Sequence, residues 1–145
     1  MNTNDDFKRV ESMLYNYKNT LAKIKKLKRD LEIIENDYRG VGSIGYEEKS
    51  APTNKFNSEV ENEIIKRAED IQKLKNRIRL KEIEVENIND AYESLLDVEQ
   101  IIIKERYFDN KSNKYVASIL NVTEQTSCDY KNKLITKLIP LLIIN

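Results

Sequence analysis

The sequence predicts an all-α protein: a long antiparallel helical hairpin, coiled-coil-like, followed by a three-helix helix-turn-helix head. Three observations carry this expectation. Apolar residues recur at four-three spacing through two long stretches of the first ninety-odd positions. Residues 95–145 instead break into three short segments, each preceded by a capping residue. Only 3 glycines and 2 prolines occur in 145 residues, while 34% are charged and 39% apolar, a profile typical of helical or coiled-coil proteins. The expected division is 1–94 for the hairpin, with a connector at 39–57, and 95–145 for the head.

The first arm carries Val10, Leu14, Tyr17, Leu21 and Ile24, then Leu27, Leu31, Ile34 and Tyr38, so its phase slips by one three-residue step. The second arm is more regular. It places Val60, Ile64, Arg67, Ile71, Leu74, Ile78, Lys81, Val85, Ile88, Tyr92 and Leu95 on one seam, with Ser58 and Glu61 as a capping box at its start. Arg67 and Lys81 interrupt that seam, where charge weakens packing but helps fix register. Two arms of similar length suit an antiparallel pair within one chain. Pairing of the second arm with its twin in a parallel dimer is the alternative. The connector, Arg39 to Asn57, is longer than a bundle requires and carries Tyr46 and Phe56.

In the head, Asp97 is expected to cap the first helix, with Gln100 completing a capping box and Val98, Ile101, Ile102, Tyr107 and Phe108 on its apolar face. Asp109-Asn110-Lys111 is a polar break. Ser112 can cap a second helix with Val116, Ala117, Ile119 and Leu120. Asn121 tolerates the left-handed conformation of a tight turn, Val122 plugs the core, and Thr123 caps a third helix. Ser127, Tyr130, Leu134 and Leu138 form the inner face of that helix, and Pro140 is expected to end it. The small Ala117 suits a close, steep crossing of the second and third helices.

The stretch LLDVEQIIIKERYFDNKSNKYVASILNVTEQTSCDYKNKLITKL resembles the fourth conserved region of bacterial sigma factors, which reads promoter DNA. YEEKSAPTNKFNSEVENEIIKR together with NKLITKLIPLL resembles small regulators of phages and prophages of Gram-positive bacteria, of the ArpU/RinA kind. These resemblances imply transcriptional control, with double-stranded DNA and RNA polymerase as partners. The head departs from the sigma pattern where Cys128 and Asp129 stand, positions at which sigma heads carry more basic residues. No promoter-melting segment with its aromatic cluster is evident.

Enzymatic chemistry is poorly represented. The chain has no histidine, so it lacks both the usual general base near neutral pH and the commonest metal ligand. Cys128 is the single cysteine, which excludes an intramolecular disulfide and suits a reducing cytoplasm. Gly40-Val41-Gly42-Ser43-Ile44-Gly45 matches the dinucleotide fingerprint G-x-G-x-x-G, but that motif works only between a strand and a following helix, and no strand-rich segment surrounds it. Asn-x-Ser/Thr matches at Asn110 and Asn121 are chance. The apolar run Leu138 to Ile144 is too short to span a bilayer. A non-enzyme without cofactor or metal is expected, cytoplasmic and nucleoid-associated, with no membrane association.

The formal net charge is +0, so the distribution of charge is more informative than its sum. No acid occurs from Ser12 to Arg29 or from Ile71 to Lys81. If the arms start and end together, Lys23, Lys25, Lys26, Lys28 and Arg29 would meet Lys73, Lys75, Arg77 and Arg79 in one basic zone. A solvated helix surface is the ordinary meaning of such runs.

On the third helix of the head, Gln125, Cys128, Asp129, Lys131 and Asn132 are the candidate base-reading residues. Gln and Asn side chains match adenine edges, and an aspartate accepts from cytosine. Ser112, Lys114, Thr123, Lys133 and Lys137 are candidate phosphate contacts, which hold register without reading sequence. The expected function is sequence-specific DNA binding in transcriptional regulation, as a phage or prophage gene activator acting with RNA polymerase. One weakly basic recognition helix should bind weakly, so a homodimer is expected, assembled through the long helices or the tail Leu141 to Ile144. The main alternative is a coiled-coil adaptor that binds polymerase or another regulator without reading DNA. A self-assembling structural phage protein is a second.

Overall fold

A computed structural model describes residues 3–44 and 54–144, with side chains described over 3–37 and 58–144. The described residues are helical, and no strand occurs among them. The helices are α1 (Thr3–Tyr15), α2 (Tyr17–Ile44), α3 (Asn54–Glu93), α4 (Asp97–Ile103), α5 (Asn113–Leu120) and α6 (Glu124–Leu142). Between α4 and α5 the chain widens into a π-helical turn, Lys104–Phe108.

The long helices differ from expectation at their ends. α2 continues through Gly40 and Gly42 to Ile44, so no strand precedes a phosphate loop and the dinucleotide reading fails there. α3 begins at Asn54, which puts Ser58 inside the helix and not at its cap. Asn54-Lys55-Phe56-Asn57 contains no glycine or proline, so nothing stops one more helical turn. Helix therefore takes both ends of the expected 39–57 connector, and residues 45–53, with the side chains of Tyr46 and Phe56, lie outside the described residues. At 1.5 Å per residue, the 40 residues of α3 extend about 60 Å. α1 and α2 are almost one helix. Asn16 breaks them by donating its side-chain amide to the Ser12 carbonyl at 2.9 Å, which its own backbone N–H also reaches, at 3.0 Å.

The chain groups into two compact units, 22–82 and the combination of 1–21 with 83–145. This differs from the expected boundary at residue 94. The reason is a single core: Val10 and Leu14 of α1 and Ile88, Ala91 and Leu95 at the end of α3 are buried in the same cluster as Ile102, Ile103, Tyr107, Val116, Leu134, Ile135 and Leu138. A three-helix head this small has too little apolar surface to close its own core, and it borrows the base of the long helices.

In the unit 22–82, ion pairs show which residues lie side by side. Lys28 meets Glu82 at 3.0 Å, and Glu35 meets Lys75 at 3.7 Å. Seven residues up one helix correspond to seven down the other, so the pairing is antiparallel and within one chain. Ile24, Leu27 and Ile78 are buried on the seam, and Leu31, Ile71 and Leu74 are half-buried. Val60 and Ile64, expected on the seam, are exposed.

That register corrects the expected basic zone. Lys73, Lys75, Arg77 and Arg79 lie level with the acidic stretch around Glu32, Glu35 and Asp37, not with Lys23 to Arg29. Lys26 is further neutralised by Asp30 on its own helix, at 2.7 Å. The two basic runs are offset and each is answered by carboxylates.

In the unit 1–21 with 83–145, α4 starts one residue earlier than expected. Leu96 is the cap residue, and Glu99 accepts its backbone N–H at 3.0 Å. Asp97 is thus the first helical residue, and Gln100 donates to the Tyr92 carbonyl at 2.9 Å. The buried face is Ile102, Ile103 and Tyr107, while Val98 and Ile101 are exposed. The wider spacing of the π turn, seen in the Asp109 N–H to Lys104 carbonyl bond of 2.8 Å, brings Phe108 back to the side of Ile103 and Tyr107, where a regular helix would turn it away. Phe108 stacks on Tyr17, with ring centroids 4.5 Å apart.

Pro140 does not end α6, which runs on to Leu142. Proline already holds a helical φ and costs one hydrogen bond near the end. Burial of Leu142 and Ile143 offsets that loss, so half of the tail expected to be free for dimerisation belongs to the core.

The chain leaves the π turn at Asp109, whose carboxylate accepts from Lys18 and from Lys104, each at 2.9 Å. The hydrogen bonds from these two ammonium groups hold its pKa at about 2. A carboxyl group depressed in the folded state stabilises above its unfolded pKa and loses that contribution as pH falls through the folded value. Asp109→Asn is therefore expected to lower the thermal midpoint at pH 7, and its deficit relative to the parent protein should close as pH is lowered from about 4 towards 2. Melting curves of both proteins across this range measure it. A constant deficit at all pH values would exclude the ionic latch.

Candidate nucleic-acid interface

The α5–turn–α6 segment follows its expected local chemistry closely. Ser112 caps α5 by accepting the Tyr115 N–H at 3.1 Å. Asn121 adopts φ 57° and ψ 44°, the left-handed region, and the Val122 N–H returns to the Ala117 carbonyl at 3.0 Å. These are the features of a Schellman turn, with Val122 half-buried beneath it. Thr123 then caps α6, accepting the Thr126 N–H at 3.1 Å. Ala117 and Ser127, both small and buried, allow α5 and α6 to approach closely. Asn110, with φ 54°, makes the second left-handed turn, just before α5. Both asparagines of the chance glycosylation matches are thus turn residues.

α6 presents its side chains on three sides. Ser127, Leu134, Ile135 and Leu138 are buried. Gln125, Asp129, Asn132 and Thr136 are exposed, and their spacing of four, three and four puts them in one row along the helix. The row is internally hydrogen-bonded: Gln125 Nε2 donates to Asp129 Oδ1 at 3.1 Å, and Asn132 Nδ2 approaches Cys128 Sγ at 3.9 Å. Cys128 is half-buried at its edge. The third side carries Tyr130, Lys133 and Lys137.

Two expected assignments change. Lys131, a candidate base reader, turns inward: its side chain is only 12% exposed and its Nζ lies 3.5 Å from Glu11 Oε2 on α1. Tyr130, expected in the core, is 44% exposed. The inner stripe is centred one residue later than expected, on Lys131 and Ile135, because α1 covers that side of α6. The long aliphatic stem of lysine can line an apolar contact while its ammonium reaches a carboxylate.

The candidate phosphate contacts also divide. Lys114 is exposed, and the Ser112 hydroxyl keeps its proton to donate while its oxygen serves as the cap. The Thr123 hydroxyl donates to Thr126 Oγ1 at 2.8 Å, so its proton is already used. Lys137 holds Glu99 at 3.2 Å from both carboxylate oxygens. The Glu99 carboxyl lies below its ordinary pKa, chiefly through the Leu96 N–H and then through Lys137, against the opposing effect of its partial burial. Lys133 is exposed, one turn after Asp129, on the border between the Gln125 row and the Tyr130 side. A residue the sequence reading passed over joins Lys114: Lys111 is exposed, with its ammonium 5.4 Å from the centre of the exposed Tyr115 ring. The pattern Lys111-Ser112-x-Lys114-Tyr115, bases and an aromatic around a cap, was the signal available for it.

Among the described residues no cluster of acids or cysteine could hold a metal ion, and no helix is long and apolar enough to cross a membrane. The outward row offers amide and carboxylate groups for hydrogen bonding and no nucleophile paired with a base.

The turn and its packing can be tested without a ligand. Thr123→Ala is expected to cost about 1 kcal/mol through loss of the cap. Leu134→Ala is expected to cost about 2 to 5 kcal/mol through the cavity it leaves, while Tyr130→Ala changes stability by less than Leu134→Ala because its ring is partly solvated. Denaturant titration of the three variants gives the order directly.

Comparison with family models, curated proteins and solved structures finds no match to this chain.

Proposed function

We propose that the chain is a sequence-specific DNA-binding transcriptional regulator, with α6 as the helix that enters the major groove. The observation that carries this reading is the capped α5–turn–α6 pair, which leaves Gln125, Asp129 and Asn132 as a solvated row on its second helix. Such a row faces base edges when the second helix of the pair lies in the groove. Asn132 has the donor and acceptor needed to bond an adenine edge, and Gln125 does once its amide leaves Asp129. Lys111, Lys114 and the N-terminal end of α5 supply the phosphate contacts that set register. The resemblance to sigma region four and to ArpU/RinA-like regulators supports the narrower reading: an activator of phage or prophage genes that acts with RNA polymerase in the nucleoid.

The weak positive charge of the head limits affinity and makes the reading quantitative. Two or three phosphate contacts per head should give a slope of log affinity against log salt of about −2 to −3, doubling when two heads bind together. A second reading, an adaptor that docks on protein without reading DNA, is favoured by one observation: Asp129 stands in the middle of the row, where it repels phosphate.

Fluorescence titration of the full chain against the DNA upstream of its own gene, at several salt concentrations, separates the two. DNA binding predicts the slope above, and Gln125→Ala and Asn132→Ala should each remove about 1 to 3 kcal/mol of sequence discrimination with little change in melting temperature. Lys114→Ala should weaken binding to all sequences alike. Folded protein with no salt-dependent affinity, or with discrimination intact in both amide variants, would favour the adaptor.

A further inference from the structure

A groove of about 500 Å³ runs between the first turn of α4 and the middle of α6. Its floor is Ile102 and Leu134, both buried. Its rim is unusually apolar for a free surface: Leu96 is 71% exposed, Val98 51% and Tyr130 44%. Four charges stand along it, acids on the α4 wall and lysines on the α6 wall. Glu99 and Lys137 already satisfy one another across the groove at 3.2 Å. Asp97 and Lys133 do not: neither has an ion-pair partner among the described residues.

We propose that this groove is a twofold interface between two copies of the chain. Each copy inserts Leu96 and Val98 into the groove of the other, and Asp97 of one copy faces the partner's Lys133. The charge arrangement favours a second copy over a foreign helix. In a twofold contact, whatever residue i offers to j, j offers to i. An unpaired acid on one wall and an unpaired base on the other are then both satisfied in a single docking, twice per interface. A foreign segment would have to supply the same pair of opposite charges at the same spacing around an apolar stripe. A chain of formal net charge +0 meets no long-range repulsion from its twin.

The interface also fits the geometry of α6. Tyr130 and Lys137 occupy a different side of the helix from Gln125 and Asn132, and Lys133, four residues after Asp129, stands on the border between the two, so pairing through the groove leaves Gln125 and Asn132 of each copy open. The inference extends the DNA-binding reading by joining two heads, but it does not depend on it.

The test uses the full chain in the absence of DNA, followed by sedimentation across micromolar concentrations. The parent protein is expected to be dimeric. Asp97→Lys and Lys133→Glu should each weaken the dimer about tenfold or more, and the double reversal should recover it, because the ion pair is rebuilt with its signs exchanged. Leu96→Ser, at a position mostly in solvent, should also weaken the dimer while helical circular dichroism is unchanged. A parent protein that stays monomeric overturns the proposal. So does a dimer indifferent to Leu96→Ser and to both single reversals, or a double reversal no better than either single one. Since no DNA is present, any of these results leaves the DNA-binding reading to its own titration.

Discussion

The burial of Tyr107 is the constraint on which the larger unit depends. Its ring is fully enclosed, yet its hydroxyl cannot be buried without a partner, and the carboxylate of Glu11 supplies one at 2.6 Å. Glu11 lies on α1, nearly a hundred residues away in sequence, and its carboxylate also faces Lys131 of α6. Three elements are thereby tied at one oxygen. Burial and the neighbouring carboxylate push the phenol far above its ordinary pKa, so Tyr107 stays a neutral donor at any physiological pH. Around this node Tyr15 packs edge-on to the same ring at 4.8 Å, with Arg106 lying over both. The polar contact adds specificity to a core whose bulk comes from Val10, Leu14, Ile103 and Ile135.

That node explains which parts of the fold were legible in the sequence. Part of the local chemistry was: Ser112, Asn121 and Thr123 act as a cap, a left-handed turn and a cap, whereas Ser58 and Asp97 do not cap their helices and Pro140 does not end its own. The four-three spacing of the long helices was legible too. What was hidden is long-range. Nothing within a few residues of Lys131 reveals that α1 will cover it, and nothing near Val98 reveals that a π turn will rotate the following apolar face inward. A single inserted residue in the hydrogen-bond ladder shifts every later side chain by about a quarter of a turn, which periodicity counted in steps of three and four does not register.

Charge runs misled for a related reason. Lys23 to Arg29 and Lys73 to Arg79 look like one basic surface only if the two helices begin and end together. The observed pairs, Lys28 with Glu82 and Lys75 with Glu35, show a different register, and in that register acids and bases alternate across the seam. Each exposed pair contributes little to stability. Their value is in selection: sliding one helix past the other would bring like charges level and lose the matches, so the charges discriminate between registers that the apolar seam alone would tolerate.

The same economy appears on α6, and it bears on what the head can do. A helix has about three usable sides, and here each carries a different kind of residue. The buried side, with Ile135 and Leu138, fixes the helix to its own unit. The row of Gln125, Asp129 and Asn132 is polar, short-chained and locally hydrogen-bonded, so the Gln125 amide is occupied by Asp129 until a ligand displaces it. The Tyr130, Lys133 and Lys137 side is large, apolar at its base and charged at its edge, the composition of a surface that excludes water. Small amides suit the recognition of flat hydrogen-bonding edges, and a tyrosine beside leucine and valine suits burial against protein. The two chemistries meet at Lys133, one turn after Asp129, while Gln125 and Asn132 stand clear of the Tyr130 and Lys137 side.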